Sequence, residues 1–156
     1  MTENQESVKE TVKENVKVTA FEKYLIDNKV EGFASRAVTD QLNSVVFHSN
    51  LAVKGQNLPV AVIIDDSVYT MIQIQAVSGA ASGKSPQELA IYANELNQTY
   101  RMLKYQVTPE GNLALSCCVA SDHDNFEPKL VIGILDQILQ HLNEEYPNFM
   151  RKIWTE

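Results

Sequence analysis

The sequence is short of the features that most often announce a function. It holds two cysteines in 156 residues, and they are neighbours, Cys117 and Cys118. Adjacent cysteines cannot staple distant segments together, and on a strand they point to opposite faces. A reducing cytoplasm is the natural setting for such a chain. No run reaches the ~18 consecutive apolar residues that a membrane-spanning helix needs. Basic residues are few, 13 Lys and Arg against 20 Asp and Glu, for a net charge of −7. They are scattered, with only Arg151 and Lys152 side by side, so no clustered face is offered to a phosphate backbone. Nucleic acid and membrane are both set aside as partners. The opening residues Met1 to Glu6 are polar and acidic, unlike the basic and then apolar start of a secretory signal.

What is present is a globular composition, 44% hydrophobic and 21% charged, enough to bury one core, on a length that suits one domain. Residues 1–19 stand apart. They carry an echo in Ser7-Val8-Lys9-Glu10, Thr11-Val12-Lys13-Glu14 and Asn15-Val16-Lys17-Val18. Spacing of four aligns the valines on one side of a helix, but valine is a weak helix former and three of them bury little. The stretch reads as a flexible charged tail, the alternative being a helix docked on a partner or on its own domain. Residues 20–156 read as a single α+β domain.

Within that domain, Phe21, Tyr24 and Leu25 mark a short amphipathic helix. The stretch from Asn28 to Asp40 carries no clear signal. Strands follow at Val45 to Val53, Leu58 to Ile64 and Val68 to Val77, the second nearly all apolar, as in the middle of a sheet. Ser85-Pro86-Gln87-Glu88 is a capping box that opens a second helix with Leu89, Ala93 and Leu96 on its buried stripe. Strands at Arg101 to Thr108 and Leu113 to Ala120 flank the turn Pro109-Glu110-Gly111-Asn112. The longest helix carries Leu130, Val131, Ile134, Leu135, Ile138, Leu139 and Leu142 over an arc wider than one side of a small sheet requires. Tyr146-Pro147 interrupts it, and Phe149, Met150, Ile153 and Trp154 then fold back on the core or form a pairing surface. The order α-β-β-β-α-β-β-α, with short connections, predicts a five-stranded antiparallel sheet packed by helices.

Several constellations invite a chemical reading. Ser78-Gly79-Ala80-Ala81-Ser82-Gly83-Lys84-Ser85 approaches a phosphate-binding loop, but the first required glycine is Ser78. A small-residue loop leading into a capped helix is the plainer account, and a small-ligand or nucleotide sensor using residues 78–85 is the alternative function. Asp122-His123-Asp124 has a metal-ligand composition, yet three consecutive side chains rarely converge on one ion, and acidic residues suit a helix start. His48 and His141 lack a neighbouring nucleophile motif. Cys117 or Cys118 fits a small buried strand residue better than a nucleophile. The acidic pairs Asp65-Asp66 and Glu144-Glu145 fit solvated turns and helix ends better than an acid/base couple. No catalytic residue, metal or cofactor is expected.

The element order and its markers resemble the YbjN-type domain family, which shares the fold of class I type III secretion chaperones. The resemblance runs from about Phe21 to Pro147. Its markers are Phe21-x-x-x-Leu25, the apolar run ending at Asp65, Leu96-Asn97 closing the second helix, and Lys104-Tyr105-x-Val107 leading through Glu110-Gly111 into Leu113-x-Leu115. It implies a twisted antiparallel sheet flanked by helices, usually dimeric, with no catalytic residues to carry over. Chaperones of that type are small and acidic and hold a partly unfolded stretch of a client. The expectation is a non-enzymatic, chaperone-like homodimer that binds a protein client, with Ile134, Ile138, Leu142 and Trp154 on the dimer or client surface.

Overall fold

Strands form here where apolar residues alternate with small or polar ones, and the alternation also decides which face of the sheet is covered. The computed structural model describes residues 15–155. Its six strands are β1 (Ala34–Ala37), β2 (Val45–Val53), β3 (Gln56–Ile64), β4 (Tyr69–Val77), β5 (Lys104–Val107) and β6 (Leu113–Ala120). They pair antiparallel throughout in the order β1-β2-β3-β4-β6-β5. This is one strand more than the sequence predicts. The addition, β1, has all four residues exposed, so it carries no apolar alternation and exists through its backbone pairing with β2 alone. The β2–β3 hairpin closes on Lys54 and Gly55, both at positive φ (49° and 80°), as a two-residue turn of matching twist requires.

Leu58, Val60, Val62 and Ile64 of β3, Thr70, Ile72, Ile74 and Ala76 of β4, and Leu113, Leu115, Cys117 and Val119 of β6 are buried on one face. Three helices supply the other half of the core: α1 (Val16–Asp27), α2 (Pro86–Thr99) and α3 (Pro128–Trp154). The opposite face of the sheet stays open, with Val46, His48, Ile63, Met71, Gln73, Ser116 and Cys118 exposed or half-exposed.

Two boundaries differ from expectation. α1 starts at Val16 because Asn15 caps it, its Oδ1 accepting from the N–H of Lys17 (3.0 Å) and Val18 (3.2 Å). Residues 15–19 therefore belong to the domain rather than to a tail. Residues 1–14, with Val8 and Val12 of the echo, lie outside the described part. α3 does not stop at Pro147 but runs through it to Trp154. An interior proline costs about 3 kcal/mol. Burying Phe149 and Ile153 completely returns about 1.5–3 kcal/mol each, so the continuous helix wins.

Candidate functional site

The four residues expected on a binding surface do not form one. Ile138 (2% exposed) and Leu142 (0%) are core residues. The buried side of the wide apolar arc of α3 packs on β2 and β4 of the sheet and on α1. Ile134 is half-buried, whereas Trp154 is 47% exposed at the far end of the helix. Twenty residues at 1.5 Å each put them about 30 Å apart.

Trp154 instead explains the small residues of the loop at 78–85. A Cβ on Gly83 would lie 2.6 Å from the Trp154 ring and 2.5 Å from the Ile153 carbonyl oxygen, so only glycine lets the helix end dock there. The loop amides are also occupied. The N–H of Gly79 donates to Asn112 Oδ1 (2.8 Å) and that of Ala81 to the Gly111 carbonyl (2.9 Å). Those of Ser82, Gly83 and Lys84 turn back on the loop itself. Glu88 accepts from the Ser85 N–H (3.1 Å) in the expected capping box. Amides already bonded, beside a carboxylate, do not cradle a phosphate, which removes the motive for nucleotide binding in this loop.

The other chemical candidates disperse. Asp122 Oδ1 accepts from the N–H groups of Asp124 and Asn125; it shapes a turn and does not cap α3, whose N-cap is Glu127. Among the described residues no group of three His, Cys, Asp or Glu side chains is placed to hold a metal. Cys117 is buried and Cys118 exposed, on opposite faces as their adjacency predicts, and burial pushes the Cys117 thiol pKa up, the reverse of nucleophile activation.

The two edges of the sheet are treated differently. The outer edge of β5 is closed by one side chain: Asn97 of α2 accepts from the Tyr105 N–H (2.6 Å) and donates to the Tyr105 carbonyl (3.0 Å). At the other edge, the Val38 N–H donates to the Ser44 carbonyl, which sets the phase of the β1–β2 ladder. Arg36 and Ala34 share their hydrogen bonds with β2, so Ser35 and Ala37 direct N–H and C=O outward. No described residue bonds to them. Beneath this edge, between α1 and β1, lies a groove of about 500 Å³ lined by Leu25, Ile26, Val30, Phe33 and Phe47, with Glu22, Lys29 and Glu31 also in its lining. Ile26 is 76% exposed there. No family model matches the chain, and no curated protein is significantly similar to it in sequence. β1 escapes sequence reading because its four residues bury nothing, and the one usable signal is a large exposed isoleucine late in α1.

Aromatic and polar groups gather at the opposite end, where α2, β5 and α3 meet. The Tyr105 hydroxyl lies 2.5 Å from His141 Nε2, and the Tyr100 ring meets that imidazole edge-on at 4.4 Å. The Tyr100 hydroxyl donates to Glu145. Burial raises the Tyr105 pKa and lowers that of His141, so a phenol donates to a neutral imidazole. The bond to Glu145, with burial, lifts the Tyr100 pKa to about 12.

Proposed function

We propose that this chain is a non-enzymatic, chaperone-like protein-binding module that holds an extended segment of a client polypeptide along β1. The observation that carries the proposal is the free edge at Ser35 and Ala37 beside a largely apolar groove that Ser35 itself lines. An added strand gains main-chain hydrogen bonds from the edge, and every second side chain can enter the groove. The sequence resemblance to YbjN-type domains and secretion chaperones supports the same reading.

Charge selects the client. None of the described Asp and Glu residues lies in a strand, and the strands carry Arg36 and Lys104. The acids sit on helices and loops around a chain of net charge −7, so a neutral to basic client is favoured overall. The open sheet face, where Val46, Ile63, Met71 and Cys118 align across four strands, is the surface proposed for a second copy.

The test is binding of a labelled, permanently unfolded basic polypeptide to the full chain and to Ala37→Pro and Ile26→Glu. Proline at 37 removes an outward N–H that the β1–β2 ladder does not use. Both variants should keep their thermal stability and lose at least tenfold in affinity. Equal binding by all three, or none by the parent, would refute the edge as a client site. Light scattering should give about twice 17.5 kDa, reduced to one copy by Met71→Glu; a monomeric parent removes the homodimer.

A further inference from the structure

A second opening lies beside the segment that leads into β5, the strand at the far end of the sheet order from β1. It is a groove of about 290 Å³ between α3 and the connection from Thr99 to Leu103. Met102 (70% exposed) and Leu103 form one wall, with Ile134 and Ile138 on the other. Such an apolar lining with few polar groups is the usual make-up of a small-molecule site.

Thr99 and Gln137 bring acceptors as well as donors to the groove, and its unpaired donors include those of His141 and Arg101. Tyr105 holds His141 Nε2, which leaves the imidazole proton on Nδ1, where no described residue accepts it. Arg101 lines the same groove and makes no ion pair among the described residues. The nearby carboxylate of Glu145 accepts from the Tyr100 hydroxyl and the Asn148 amide, and with Glu144 it acts on His141 as a negative charge. An unpaired guanidinium and an unused N–H beside apolar walls complement an anion carried on an apolar chain. The volume suits a chain of roughly eight to ten carbons at protein packing density.

We infer that this groove binds a medium-chain monocarboxylate, its chain against Met102, Leu103, Ile134 and Ile138 and its carboxylate at His141 and Arg101. The function is separate from client binding: the two grooves share no residue.

Isothermal titration of the full chain with decanoate, below its micellar range, tests it against decanol and a decyl trimethylammonium salt. Saturable binding of one decanoate per chain is expected, at least tenfold tighter than either comparison ligand. Arg101→Glu and Met102→Glu alter exposed side chains and should keep the parent melting temperature while weakening decanoate binding at least tenfold. Three results would overturn the assignment: no saturable binding, equal affinity for decanol, or variants that bind decanoate as the parent does.

Discussion

Lys17 shows how far one side chain can depart from what its type suggests. It is fully buried, and its Nζ donates to the carbonyls of Ser67 (2.9 Å) and Tyr69 (3.3 Å) while lying 5.5 Å over the Phe126 ring. One ammonium thus ties the first turn of α1 to the β3–β4 turn and to the segment leading into α3. Burial lowers its pKa, opposed by Asp65 and Asp66. Lys17→Met keeps the stem but strands two carbonyls, and hydrogen bonds to a charged donor contribute about 1.5–3 kcal/mol each. A loss of roughly 2–4 kcal/mol is therefore expected in chemical denaturation. A change below about 0.5 kcal/mol, the range of an ordinary surface substitution, would contradict this role.

At the scale of elements, the two ends of the sheet differ because of what the neighbouring helix carries. α2 presents Asn97 to β5, whose amide mimics the missing strand. α1 presents Ile26 and Leu25 to the space below β1, which shapes a groove but bonds no backbone. Asn97→Ala should cost about 2–3 kcal/mol through the unpaired backbone of Tyr105 and speed amide exchange there. Protection at Tyr105 equal to that of the parent would sink the capping role. α3 makes a related point. The proline that marks a break in the sequence is tolerated because the turns beyond it bury Phe149 and Ile153. Pro147→Ala should raise stability by about 1–3 kcal/mol, read as a shift in the denaturation midpoint.

Over the whole molecule, the buried titratable groups set a stability window. Burial raises the pKa of Tyr92 and Tyr105, and the Glu145 bond raises that of Tyr100. Above about pH 10 the unfolded chain ionises these phenols and the folded chain does not, so stability falls as pH rises. The Cys117 thiol, also raised, adds a loss beginning at about pH 8.5. Lys17, with its lowered pKa, works in the opposite sense up to about pH 10.4, but it is one group against four. On the acid side, His141 has a lowered pKa: below about pH 6.5 the unfolded histidine takes a proton that the folded one resists, and stability falls as pH falls. The melting temperature should plateau between these limits. His141→Gln should flatten the slope between about pH 6.5 and 5; an unchanged slope would show that other groups carry it.

Local chemistry alone determined much of this protein. The capping box at Ser85 and Glu88, the buried stripe of Leu89, Ala93 and Leu96, the hairpin turns and the opposed faces of Cys117 and Cys118 all follow from spacing, because each depends on residues a few positions apart. The mixed helix and antiparallel strand architecture followed from short connections. Tertiary structure decided the rest. β1 is visible only through its partner strand, and Lys17 is buried only because two distant carbonyls await it. Whether the apolar arc of α3 faces water or core depended on what the flanking elements covered. Periodicity records that a side chain is apolar and which side of its element it occupies. It does not record what lies opposite, and that is settled by contacts between residues far apart in the chain.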